Sequence, residues 1–150
     1  MFEPKNILVP TDFSPYADKA LQTAVDIAKN YNAKIYLLHV ISEVLYECGV
    51  DYCLSNAELL EIEQVSMRTS TDKLQEEVKR IKASSGGLYI IFDIKRGHPY
   101  ETILTEQEDK KIDLIVIASH GRTGLLKHLI GSVAEKVLRG AKCNVLLVKS

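Results

Sequence analysis

Five short runs rich in β-branched and other apolar residues recur along the chain: Ile7 to Val9, Ile35 to Ile41, Leu88 to Ile94, Leu114 to Ala118 and Val145 to Val148. Near-continuous apolarity is what a strand covered on both faces requires. The segments between the runs carry helical periodicity, and strands alternating with helices imply right-handed parallel crossovers. The pattern predicts an α/β fold with a doubly wound sheet. No long-period repeat or linker interrupts it, so residues 1–150 are expected to form one domain.

The first helix is the clearest. Ala17, Ala20, Leu21, Ala24, Ile27, Ala28 and Tyr31 make one apolar stripe, with Ser14 placed as N-cap and Pro15 at the first helical position. The second opens with Ser55 and Glu58 at capping-box spacing and runs through Leu59, Ile62, Val65, Leu74, Val78 and Ile81 toward Gly86-Gly87, either unbroken or interrupted near Thr69 to Thr71. A third follows Gly97-His98 from Pro99, turning Ile103 and Leu104 inward and leaving Glu106, Glu108 and Asp109 in solvent. A fourth starts at Ser132, again with a glutamate three residues on, ahead of Val133, Val137 and Leu138. The stretch from Ser42 to Leu54 is the one long connection, read as a packed loop, a lid or a partner surface.

Composition narrows the class of function. The chain has 46% hydrophobic and 26% charged residues, an ordinary globular mixture. Its 19 Lys and Arg nearly balance 20 Asp and Glu, so no net field draws it to nucleic acid or to an anionic membrane. No apolar run approaches the ~20 residues of a transmembrane helix, and no signal-peptide pattern opens the chain, which points to the cytoplasm. Three cysteines argue against a disulfide framework. Cys48 and Cys53 are near neighbours but no second pair follows at zinc spacing, and Cys143 reads as a small core residue.

In a doubly wound sheet, ligands bind beyond the carboxyl ends of the strands where the strand order reverses. Two loops therefore matter. The first is Pro10-Thr11-Asp12-Phe13-Ser14-Pro15; the second runs from Ala118-Ser119-His120-Gly121-Arg122 to Ile130-Gly131-Ser132. The second is rich in glycine and hydroxyl residues and ends at a helix start, where backbone N–H groups suit a phosphate. Arg122 and Lys127 are candidate countercharges.

On these residues the chain resembles the universal stress protein family, whose ATP-binding branch ends a strand in Gly-x-x-Gly, leaves nine residues, and opens a helix with Gly-Ser or Gly-Thr. Gly121, the nine residues Arg122 to Ile130, and Gly131-Ser132 fit, while Ala118 stands at the first glycine position. The resemblance runs from Ile7-Leu8-Val9-Pro10-Thr11-Asp12 to the closing strand. It implies a five-stranded parallel sheet of order 3-2-1-4-5, with helices on both faces, in an adenine nucleotide alpha hydrolase-like fold. It also implies an ATP site with Mg²⁺ as a companion ion. Asp12 would lie near the nucleotide and Val40 against the adenine, with Pro10, Thr11, Ala118, Gly121, Arg122, Gly131, Ser132 and Val133 completing the site. Family members pair through the last strand, so a homodimer is expected, and the apolar run Val145 to Val148 would otherwise be an open sheet edge.

Read on their own, Asp12 fits an Asx-turn, Val40 a core position and Ser132 a helix cap. Enzymatic signatures are weak: the sequence has no Gly-x-Ser-x-Gly elbow, Walker A segment or Gly-x-Gly-x-x-Gly fingerprint. His120 beside Ser119 has no orienting acid in sequence, and His39, His98 and His128 lack metal-ligand spacing. The expected function is ATP-dependent regulation in a stress response. The alternatives are a dimeric interaction module that binds no nucleotide, and a slow ATP hydrolase using Asp12 and Mg²⁺.

Overall fold

The computed structural model describes residues 1–43, 54–122 and 129–149. Cys48, Cys53, Lys127, His128 and most of the connection read as a lid lie outside the described residues. The elements are β1 (Asn6–Pro10), α1 (Pro15–Tyr31), β2 (Lys34–Ser42), α2 (Asn56–Ser84), β3 (Ile90–Gly97), α3 (Pro99–Asp109), β4 (Leu114–Ala118), α4 (Ser132–Gly140) and β5 (Asn144–Val148). The strands form one five-stranded sheet in the order β3-β2-β1-β4-β5, and every pairing is parallel. Sheet and order are those expected. No helix among the described residues is long and apolar enough to cross a membrane.

Alternation along the strands divides the core in two. Ile7, Val9, Ile35, Leu37, Leu114 and Val116 point to one face, against Ala20, Leu21 and Ala24 of α1 and Leu74, Val78 and Ile81 of α2. Leu8, Leu38, Ile115 and Ile117 point to the other, against Ile103 of α3 and Ala134 and Val137 of α4. β4 is buried along its whole length, which is why its sequence is unbroken in apolarity. The Asp113 carboxylate, just ahead of β4, accepts the N–H groups of Lys5 (2.9 Å) and Asn6 (3.2 Å) and fixes the start of β1 beside it.

Ser14 caps α1 as expected, its Oγ accepting the Ala17 N–H at 3.2 Å. Asn32 ends the helix in the left-handed region, φ 52°. Tyr31, the last residue of the expected stripe, is exposed beside that turn. The capping box of α2 is also present.

α2 is continuous over 29 residues, the unbroken one of the two alternatives, with no break at Thr69 to Thr71. Other expectations need correction. Ile62 and Val65 are exposed, at 54% and 59%. A helix of this length spans about 43 Å at the standard rise, more than the strands beneath it, and these two side chains lie on its solvent face while Leu59 beside them is buried. β3 runs to Gly97 rather than Ile94, because β2 pairs with it residue by residue as far as Ser42↔Gly97. Glu106 is not solvated but 5% exposed; Lys95 reaches its carboxylate from β3 at 3.5 Å and Lys110 from the following turn, which compensates a buried charge. Ser132 is not the cap of α4: Gly131 holds that position with no side-chain hydrogen bond, and Ala134 and Val137 turn inward while Leu138 stays exposed.

Candidate functional site

The loop after β1 is pinned from beneath. The Thr11 N–H donates to the Leu38 carbonyl at 2.8 Å, and the His39 Nδ1–H lies 2.8 Å from the Thr11 carbonyl oxygen. Burial holds the His39 imidazole below its ordinary range, against the opposing pull of the Thr11 hydrogen bond. Phe13 takes a left-handed φ of 63° and lays its ring 4.5 Å from the His39 ring. Asp12 makes the Asx-turn its position suggested, Oδ1 accepting the Ser14 N–H at 3.0 Å.

The loop after β4 folds back on itself. Ser119 donates its N–H to the Val148 carbonyl of β5 (2.9 Å), and its own carbonyl accepts the Gly131 N–H at 2.7 Å. The Ser119 hydroxyl and His120 Nδ1 are 2.8 Å apart, but Ser119 is only 3% exposed, so the hydroxyl braces the loop rather than meeting solvent. Ala118 ends β4 in regular pairing with Val148 and is not among the residues with positive φ. The strand accepts its methyl without strain.

The two loops meet. Arg122 donates its N–H to Asp12 Oδ2 at 3.0 Å and its Nε–H to the Asp12 carbonyl at 2.8 Å. A Cβ on residue 121 would stand 2.9 Å from the same Oδ2, so glycine at 121 makes room for the carboxylate.

Beside this contact lies a cleft of about 250 Å³. Of the ten site residues expected from sequence, Pro10, Thr11, Asp12, Val40, Ala118, Gly121, Gly131, Ser132 and Val133 line it, and Arg122 does not. Residues that sequence reasoning did not assign to a site also line it: Leu38 and His39 of β2, Pro99 and Ile103 of α3, Ala17 of α1, Ile117, Ser119, His120 and Ala134. His39, one residue before Val40 on β2, carried a signal only through that neighbour. Pro99 and Ile103 carried none, because only the crossover brings α3 over this end of the sheet.

The cleft's chemistry is divided. Pro10, Leu38, Val40, Ile103 and Ile117 form an apolar side, while Ser132, Val133 and Ala134 present the first turn of α4. Those three N–H groups have no intrahelical acceptor, and among the described residues no side chain caps them. Among the described residues Asp12 is the one acidic residue in the lining, with both oxygens on backbone N–H groups. Among the described residues no three His, Cys, Asp or Glu side chains gather as metal ligands. This donor set does not fit a protein-held Mg²⁺.

The model of the universal stress protein family matches residues 3–149. The chain is 35% identical over 147 residues to universal stress protein MJ0531 of Methanocaldococcus jannaschii, covering 97% of this chain and 82% of that one. It superposes on the universal stress protein UspA of Lactobacillus plantarum with a TM-score of 0.84 at 26% identity, over 99% and 100% of the two chains. A universal stress protein solved in complex with cAMP is similar with a TM-score of 0.67 at 26% identity, over 99% of this chain and 98% of that one.

Proposed function

The chain belongs to the universal stress protein family, and from that premise we propose that it is an ATP-binding regulatory protein of the stress response that acts as a homodimer. The nucleotide reading is carried by the foot of α4, where three uncapped N–H groups border the cleft. Free N–H groups and the positive end of the helix dipole are a seat for phosphate. The facing apolar side, which includes Val40 of β2, suits a flat base. One side takes charge and the other takes the ring. The relative solved with cAMP supports an adenine nucleotide as the ligand class. Arg122, next to the lining residue Gly121, adds a cation for a longer phosphate chain. Any Mg²⁺ would arrive on the phosphates, since the protein's own donors are committed elsewhere.

The dimer reading rests on the sheet's two edges. β3 carries Asp93, Lys95 and Arg96, charges that discourage edge pairing. β5 reads Asn144-Val145-Leu146-Leu147-Val148 with no charge, and Leu146 is 37% exposed. A second copy of β5 is the natural partner for that edge.

Mass spectrometry of ligand released from the purified protein, followed by calorimetric titration with ATP and with cAMP, tests the reading. Co-purified or saturably bound ATP is the expected result. No released nucleotide and no heat with either would leave a dimeric interaction module of the same fold. A phosphate-release assay then separates a binder from a slow hydrolase.

A further inference from the structure

We propose that the carboxyl pair Asp18 and Glu77, between α1 and α2, is a proton-operated latch on the nucleotide cleft, acting through Lys73 and Phe13. The inference rests on the nucleotide reading of that cleft and adds its regulation. A second cavity, of about 260 Å³, is lined by Phe13, by Asp18 of α1 and by Lys73, Glu76, Glu77 and Arg80 of α2. Phe13 belongs to the loop whose preceding residues, Pro10, Thr11 and Asp12, line the cleft, so one loop reaches both spaces. Its backbone is left-handed, φ 63°, a conformation that a bulky residue keeps only where its surroundings hold it. The Phe13 N–H donates to Thr11 Oγ1 at 3.1 Å, its ring lies 4.5 Å from the His39 ring, and the Lys73 ammonium stands 5.0 Å from the ring centre.

Lys73 is shared between two anionic or π-rich neighbours. Its ammonium covers Phe13, and it also lines the cavity with Glu77. The charges around Glu77 are Asp18 from α1 and Lys73, Glu76 and Arg80 from its own helix; from the sheet, His39 of β2 meets Phe13 and feels the Lys73 charge. Carboxylates only accept, so the hydrogen bond between Asp18 and Glu77 exists only while one of them keeps a proton. Burial first, then Asp18, raise the Glu77 carboxyl from 4.5 to about 7, and its buried Oε2 has no hydrogen-bond partner among the described residues. With the proton on, the pair ties α1 to α2 and leaves Lys73 on Phe13. With the proton off, a second carboxylate faces Asp18 and draws the ammonium away from the ring, because an ion pair in a partly buried site outweighs a cation–π contact. The left-handed turn then loses a support, and so does the loop that lines the cleft. The protonated pair is the binding state, and nucleotide affinity falls as pH rises through about 7.

The test compares the parent with two full-length variants. Glu77→Gln keeps a hydrogen-bond donor toward Asp18 at every pH. Lys73→Met, at an exposed position, removes the shared ammonium and serves if the first variant misfolds. In the nucleotide-free protein, the His39 imidazole resonances followed by NMR should show an inflection near about pH 7 in the parent that both variants lack; the ring's own titration lies below 6.5. In calorimetry, ATP's own titration is common to all three proteins and is divided out. The parent's affinity should then fall about fivefold from about pH 6.5 to about pH 8.5, while Glu77→Gln stays at the upper level and Lys73→Met at the lower one. ATP affinities that run parallel with pH in the parent and the variants, or a His39 signal blind to Glu77, overturn the latch and leave the nucleotide reading intact. Absence of ATP binding in all three proteins overturns the nucleotide reading itself and the latch with it.

Discussion

Gly131 lies over the carbonyl of Ser119: its N–H donates to that oxygen at 2.7 Å, and a Cβ at 131 would stand 3.4 Å from it, an ordinary contact. The backbone there, φ −62° and ψ 150°, is open to every residue. The turn itself therefore does not require glycine at 131.

Gly131→Val is accordingly expected to fold like the parent by circular dichroism. Its branched side chain would fill space beside the N–H groups of Ser132 to Ala134, and ATP affinity by calorimetry should fall at least about tenfold. A folded variant with parental affinity would remove the phosphate seat from this loop.

Two serines at helix starts should behave differently. Ser14→Ala loses a cap that accepts the Ala17 N–H and should cost about 1 kcal/mol in urea unfolding. Ser132 is exposed and caps nothing, so Ser132→Ala should stay within about 0.5 kcal/mol of the parent. Equal losses in the two variants would mean that Ser132 holds the helix after all.

Glu77 of α2 should make stability depend on pH. Burial first, then the Asp18 carboxylate of α1, push its carboxyl up from 4.5 to about 7, against the pull of Arg80 and Lys73, and its Oε2 is buried without a hydrogen-bond partner. The folded protein keeps a proton that the unfolded chain releases, so this contribution is full below pH 4.5 and is lost as pH rises through 7. Glu77→Gln, uncharged at every pH, should match the parent near about pH 4 and exceed it by about 1 kcal/mol near about pH 8, a figure reduced for solvent screening of a half-buried group. Parallel Tm curves for the two proteins across that range would contradict the assignment.

Leu146→Asp places a charge on the bare edge of β5. Light scattering should report a dimer for the parent and a shift to monomer for the variant at equal concentration. A parent that is monomeric at every accessible concentration would end the dimer reading.

Most of the fold was legible because burial on both faces leaves a sequence with little choice. β4 is apolar at every residue, and Ser14-Pro15 marks a helix start by local chemistry alone. What sequence hid came from elsewhere in the chain. Glu106 looked solvated because its two lysines arrive from β3 and from beyond α3. The serine-to-glutamate spacing at 132 and 135 resembled a cap, yet the helix begins one residue earlier than that pattern implies. Nine of the ten expected site residues line the cleft because the sheet order sets the ends of β1 and β4 side by side, with Val40 of β2 next to them. The contact between Asp12 and Arg122 joins residues 110 positions apart, and no local pattern announces it.

The place of β1 in the sheet also sets an order of assembly. It pairs on one side with β2, its next strand in sequence, and on the other with β4, where Asp113 reaches back across 108 positions to Lys5. Contacts of such long range close slowly, after the local ones. The β3-β2-β1 half, with Thr11 and His39 already joined, can form while β4 and α4 are still searching. The cleft is then complete only when the most distant segments have docked, so nucleotide capture would report a finished fold and would stabilise the last step of reaching it.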